Sequence, residues 1–255
     1  MSAPLLQLQD CTVQFGGLTA VSELTMRVDE NDLVGLIGPN GAGKTTVFNV
    51  ITGVYEPTSG DIIYNEASIA GRKPHQITAR GIARTFQNIR LFGSLSVFDN
   101  VRVAFHLHLR HGVRDSLWRG ASFCREEREI DAQAMEMLEI FHLGKFRDAP
   151  AKSLPYGDQR RLEIVRALAT RPKLLLLDEP AAGMNPTEKV ELMNLIRFVE
   201  EKYRVSTLLV EHDMQVVMSI CRRIVVLDYG VKIAEGTPEE VRANPRVIQA
   251  YLGQD

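Results

Sequence analysis

Residues 38–45 read GPNGAGKT, from Gly38 through Pro39, Asn40, Gly41, Ala42, Gly43 and Lys44 to Thr45. Every fixed position of G-x-x-x-x-G-K-[ST] is filled. The run also stands where that pattern has physical meaning, after the apolar stretch DLVGLI and before a segment in which Val47, Val50 and Ile51 recur at helical spacing until Gly53. A strand, a glycine loop and a helix in succession let consecutive backbone N–H groups converge on phosphate oxygens, with the positive end of the helix behind them. In that reading Lys44 reaches the β and γ phosphates of a nucleoside triphosphate. The hydroxyl of Thr45, followed by Thr46, is turned toward Mg²⁺.

Such a site needs a second group on the metal side, and KLLLLDEP at 173–180 ends an apolar strand on one. Asp178 can hold Mg²⁺, directly or through water, and Glu179 can polarise the attacking water as general base. Phosphoryl transfer rests on positioning and charge neutralisation, so two carboxylates at a strand's C-terminal tip are well placed. LLVEHD at 208–213 ends another apolar strand with His212 at its tip, a position from which it would meet the γ-phosphate. Read alone, Gln87 in RTFQN is an ordinary surface residue and Phe15 in VQFGG an ordinary core residue. The functional alternatives are an amide that orients water or Mg²⁺ and a ring that stacks on a base.

Around these stretches the chain alternates. LLQLQDCTVQF, LTMRV, DLVGLIG and GDIIYN read as strands in the first third, and from 159 onward helices alternate with the near-continuous apolar strands KLLLLDEP, VSTLLVEHD and RIVVLDYG. This pattern predicts an α/β fold with a mixed, mostly parallel core sheet, an N-terminal antiparallel β part and an inserted helical subdomain at about 88–160. All of 1–255 forms one domain in this reading. Within the insertion, SVFDNVRVAF has an N-cap signal at Ser96, and REEREIDAQAMEMLEIF has one charged and one packed face, with Met135 and Met137 as filler. HLHLRHGVRDSLWRGASF between them reads as a loop or a surface helix, and EEVRANPRVIQAYLG as one terminal helix. Leu91, Phe92 and Leu95 are either subdomain packing or an apolar groove for a membrane partner's helix.

Composition narrows the function classes. Of 255 residues, 45% are hydrophobic and 24% charged, enough to bury a sizeable core, and the net charge of −2 carries no whole-chain basic signature, so no nucleic-acid partner is expected. Three cysteines, Cys11, Cys124 and Cys221, stand far apart without a C-x-x-C pair and suggest neither a disulfide framework nor a zinc site. A reducing cytoplasm fits. The start MSAPLLQLQD has no basic-then-apolar signal pattern, and no run of about 18 apolar residues offers a membrane span.

The set GPNGAGKT, RTFQ, SLPYGDQRR, LLLLDEP and VEHD, in this order, resembles the ATP-binding subunit of an ABC transporter over nearly the whole chain. The resemblance implies ATP and Mg²⁺ as cofactors. It makes Gln87 the Q-loop residue, His212 the switch histidine and Phe15 the adenine-stacking aromatic, with Thr45, Gln87 and Asp178 around the metal. Leu154, Pro155, Tyr156, Gly157, Asp158 and Gln159 become the signature that meets the ATP of a second subunit in a head-to-tail dimer. GGLTAV, RTFQNIRLF, YGDQRRLEI, DEPAAGMNP and the tail EGTPEEVRANPRVIQAYLG further resemble the ATPases of high-affinity branched-chain amino acid importers, and the basic segment near 106–125 the longer of the two such ATPases. The implied partners are a related second ATPase, two membrane permease subunits and, indirectly, a periplasmic substrate-binding protein. The implied place is the cytoplasmic face of the inner membrane. An ATPase of lipopolysaccharide export and a soluble iron–sulfur assembly ATPase are the alternatives. The chain departs from the wider family where the signature commonly reads L-S-G-G-Q: Pro155 replaces the serine and Tyr156 the first glycine, with a helix expected from about Asp158. Asn185 stands where Asp is common.

Overall fold

The computed structural model describes residues 3–108 and 121–252. Among them ten strands form: β1 Leu6–Phe15, β2 Leu18–Val28, β3 Leu33–Ile37, β4 Ser59–Tyr64, β5 Ala67–Ser68, β6 Ile82–Arg84, β7 Leu174–Asp178, β8 Ser206–Val210, β9 Arg223–Asp228 and β10 Val231–Gly236. The α-helices are α1 Lys44–Ile51, α2 Pro74–Ala79, α3 Val97–Phe105, α4 Ala121–Ile140, α5 Tyr156–Ala169, α6 Pro186–Tyr203, α7 Met214–Ile220, α8 Pro238–Ala243 and α9 Pro245–Leu252. Two compact units result, one from 1–87 with 173–255 and one from 88–172.

The first unit holds two sheets. One is antiparallel in the order β2-β1-β4-β5, its first hairpin running from Leu6↔Val28 to Phe15↔Leu18. The other has the order β10-β9-β3-β8-β7-β6, with every pair from β9 to β6 parallel and β10 antiparallel on the edge. Every residue of β3, β7 and β8 is buried, as expected of parallel strands covered on both faces. Register does the positioning: Leu36 and Asp178 both pair with Val210, so β3, β7 and β8 end side by side and release Gly38, Glu179 and Glu211 from one edge of the sheet. In open parallel sheets this is the edge where ligands bind.

The second unit is built on α3, α4 and α5. The Ser96 hydroxyl caps α3 by accepting from the Asp99 N–H at 2.9 Å, as its N-cap position predicts. The fully buried Asn100 side chain closes the 92–96 turn, accepting from the Phe92 N–H and donating to the Phe92 and Ser96 carbonyls. In α4 the packed face includes Ile130, Ala134, Met137 and Leu138, while Met135 is half-buried. Phe92 and Leu95 are exposed, and the Arg166 guanidinium lies 5.4 Å from the Phe92 ring centre.

Three sequence expectations differ from the structure. The terminal segment is two helices, because Pro245 has no N–H to continue α8 and holds Asn244 in an extended conformation at φ −74°, ψ 120°. Helix α5 starts at Tyr156, two residues before the expected start, and runs on to Ala169, so the inserted unit ends at 172. The three-residue strand β6 lies where the β signal fades, too short to show a period. Cys11, Cys124 and Cys221 are all free thiols. Most of the basic 106–125 segment lies outside the described residues. Among the described residues no helix is long and apolar enough to cross a membrane.

Candidate functional site

Between β3 and α1 the chain is forced through a path that only glycine tolerates. Gly38 has φ 150°, and a Cβ there would lie 2.1 Å from the Leu227 carbonyl oxygen; Gly43 has φ 99°, and a Cβ would lie 2.5 Å from that of Ala20. Gly43 is the N-cap of α1 and carries no capping side chain, and a helix start of that kind suits an anion. The loop borders a cavity of about 450 Å³ whose wall also includes Phe15, Glu179 and His212. That volume suits a small-molecule ligand. The Lys44 ammonium is buried and donates to the Gly38 and Pro39 carbonyls at 2.6 and 2.8 Å. Burial lowers its pKa below the ordinary value, and the charges of Glu179 and Asp178 partly oppose that shift.

The three catalytic candidates meet at one carboxylate. Glu179 Oε2 accepts from Gln87 Nε2 at 2.6 Å, and Glu179 Oε1 lies 2.5 Å from His212 Nε2. Glu179 sits at φ 47°, a left-handed conformation unfavourable for its side chain, and its N–H is held by the Val210 carbonyl at 2.8 Å. Outliers of this kind collect at functional sites. Phe15 is exposed on the cavity wall, which overturns its reading as a core residue, and Tyr55 meets it edge-on with ring centres 5.0 Å apart. Gln87 is exposed, as its surface reading expects, with its amide hydrogen-bonded to Glu179.

Two residues that sequence reasoning passed over complete the arrangement. Arg84, the first letter of RTFQ, donates to Asp178 Oδ2 at 2.8 Å with both side chains 7% exposed, and its other terminal nitrogen donates to Asn49 and Thr52 of the first helical segment. Its ring neighbours Phe48 and Phe86 lie 5.4 and 4.9 Å from the guanidinium carbon. Glu211, inside VEHD, is buried and accepts from the Ala181 N–H at 2.6 Å and the His212 N–H at 3.1 Å, linking the loops that follow β7 and β8. Burial pushes its carboxyl pKa up, against the lowering effect of those N–H donors. The signal for both was a charged residue inside an otherwise apolar, strand-forming stretch.

The stretch 154–159 is ordered by its own unit. Pro155 is the N-cap of α5, giving its carbonyl to the Gln159 N–H at 2.9 Å, so no helix hydrogen bond is lost through its missing N–H. The Gln159 side chain donates to the Leu154 carbonyl, Asp158 pairs with Arg161, and the Tyr156 hydroxyl accepts from Arg160 at 3.2 Å. Arg160 is fully buried and paired with Glu163 at 2.8 Å; Glu163 also accepts from the Arg90 N–H. Asn185 forms a capping box with Glu188 at the start of α6, a task an Asp could also do.

Comparison with known proteins matches residues 21–182 to the family model described as ABC transporter. The chain belongs to the ABC transporter family, as one of its ATP-binding subunits. A second family model, for branched-chain amino acid ATP-binding cassette transporters, matches residues 231–255. The chain is 48% identical over 254 residues to the high-affinity branched-chain amino acid transport ATP-binding protein BraF of Pseudomonas aeruginosa, and 46% identical to LivG of Escherichia coli K12, each covering 100% of both chains. Among solved structures, an ATP-binding cassette of an ABC transporter in its ADP conformation superimposes with a TM-score of 0.85 at 28% identity, covering 99% of this chain and 100% of that one. As an ABC cassette the protein is an ATPase, and the α/β fold with its phosphate loop is that of the family.

Proposed function

We propose that the protein hydrolyses ATP to drive import of branched-chain amino acids through a membrane permease. The observation that carries the chemistry is the Glu179 carboxylate, joined by Gln87 and His212 on the wall of a phosphate-loop cavity. Glu179 is the general base for the attacking water, His212 and Lys44 neutralise charge on the γ-phosphate, and Gln87 orients the water. Phe15 stacks on adenine, while the loop from Gly38 to Thr46 cradles the phosphates.

Magnesium fits the donors. Thr45 offers a hydroxyl, Gln87 an amide oxygen and Asp178 one carboxylate, the sparse hard-oxygen set that Mg²⁺ uses together with water and substrate phosphates. When bound it would supply positive charge that offsets the charge of the phosphates. Asp178 is held for that purpose by Arg84.

The transported class rests on full-length similarity, at 46–48% identity, to branched-chain transport ATPases and on the match of the C-terminal 231–255 segment to a branched-chain transporter model. In this reading the chain pairs head-to-tail with a related second ATPase through 154–159. It sits on the cytoplasmic face of the inner membrane beneath two permease subunits, fed by a periplasmic binding protein. The test is co-purification with the permeases and an ATPase assay with leucine-loaded binding protein. Stimulation by the loaded binder is expected; intact basal activity with no stimulation by any amino-acid-loaded binder rejects the import reading.

A further inference from the structure

At the tip of the hairpin joining β9 and β10, Asp228 pairs with Val231, leaving Tyr229 and Gly230 as the two-residue turn at φ 43° and φ 81°. Two positive φ angles in a two-residue loop define a type I′ turn, whose first position favours Asn, Asp or Gly. Gly230 is required there, since a Cβ would lie 2.7 Å from the Ala20 carbonyl oxygen. Tyr229 is not. A tyrosine in the left-handed region costs conformational energy, and packing does not return it, because the residue is 81% exposed.

The position of the ring gives the reason. Tyr229 lies on the wall of the phosphate-loop cavity, as does Phe15. Its backbone is anchored to both neighbouring walls: the Gly230 N–H donates to the Ala42 carbonyl at 3.1 Å, and the Ser22 N–H donates to the Gly230 carbonyl at 2.9 Å. An aromatic in a disfavoured conformation, exposed, fixed to the phosphate loop and facing the ligand space is placed for contact with a planar ligand. We propose that Tyr229 is a second aromatic of the nucleotide site, contacting the base or ribose end of ATP beside Phe15. This rests on the cavity being the ATP site. Base–aromatic contact tolerates any base, so the residue adds affinity without selecting adenine over guanine.

The test uses the full chain in equilibrium titrations with ATP, GTP and inorganic tripolyphosphate, alongside thermal midpoints. Tyr229→Asn, which suits the turn, is expected to keep or raise the midpoint while weakening ATP and GTP binding at least about fivefold, the lower end of a base–aromatic contact. Tripolyphosphate binding should be unchanged, and Tyr229→Phe should bind ATP as the wild type does. Unchanged ATP affinity in Tyr229→Asn, with binding lost in Lys44→Ala, overturns the Tyr229 assignment alone. Unchanged affinity in both overturns the cavity reading beneath it. Equal weakening of ATP and tripolyphosphate overturns a base or ribose contact.

Discussion

Substituting Arg84 by Met removes the charge that is paired and hydrogen-bonded to Asp178, at 2.8 Å with both side chains 7% exposed. Removing one partner of a buried pair leaves the other charge uncompensated and costs about 3–5 kcal/mol. Met keeps much of the apolar stem between Phe48 and Phe86, so the loss is dominated by the ion pair and by the bonds to Asn49 and Thr52. For a chain of this size about 2–4 °C of melting temperature accompany each kcal/mol, so the midpoint should fall by about 6–20 °C. Asp178→Asn in the Arg84→Met background removes the orphaned charge and should recover part of the loss, with a coupling of about 0.5–3 kcal/mol across the double-mutant cycle. The measurement is thermal unfolding of the four nucleotide-free proteins by circular dichroism. A midpoint for Arg84→Met within about 2 °C of wild type, or strictly additive losses, would refute the view that Arg84 holds Asp178.

Glu179→Gln should keep ATP binding and lose about 10²- to 10⁴-fold in turnover, the range of general-base catalysis; retained turnover in a phosphate-release assay removes Glu179 from that role. Pro155→Ser restores a hydroxyl at the signature and should raise the rate supported by the partner's ATP site, by about 10- to 150-fold where one hydrogen bond to a charged group, about 1.5–3 kcal/mol, is realised in full in the transition state. The readout is the reconstituted transporter with each subunit's phosphate-loop lysine disabled in turn, and an unchanged partner-site rate ends the idea. Burial raises the Glu211 carboxyl above its ordinary 4.5, so the folded protein holds that proton at higher pH than the unfolded chain does. Its contribution is therefore full below 4.5 and is lost as the pH rises through the folded value. The thermal midpoint of wild type relative to Glu211→Gln should fall from pH 4.5 toward neutrality, and a pH-independent difference contradicts the assignment.

The sequence made the phosphate loop, the buried parallel strands and the Asp178–Glu179 tip legible because each combines a local period with residues that chemistry restricts. GPNGAGKT carries its own backbone geometry, and LLLLD its own burial. What stayed hidden depends on chain segments distant in sequence. Arg84 and Asp178 are 94 positions apart and meet only because β6 and β7 are neighbours in the sheet. Tyr229 is visible as a cavity residue only once Gly230 is seen against Ala42. Phe15 looked like core because its strand is apolar, yet its place at a hairpin end exposes it. The boundaries that moved, at Tyr156 and Asn244, did so at prolines, where a residue that cannot donate a hydrogen bond can begin a helix as readily as end one.

The adjacent carboxylates of Asp178 and Glu179 illustrate how one strand tip supports two tasks. Asp178 is fixed through one oxygen by a buried, permanently charged guanidinium, which sets the plane of the carboxylate and gives its other oxygen a defined direction. Glu179, one residue on, leaves the strand in a left-handed turn and has its oxygens held by an amide and an imidazole. Neither partner of Glu179 is a guanidinium or an ammonium, so its position is fixed by a neutral amide and a ring nitrogen. In the proposed mechanism Asp178 serves the metal and Glu179 the attacking water. In that mechanism Arg84 acts as a positioning residue, through Asp178. If Asp178 turns when Arg84 is removed, magnesium dependence should weaken in Arg84→Met while the ATP affinity measured without metal stays near wild type. A loss of metal-free binding of equal size would instead place the damage in the phosphate loop.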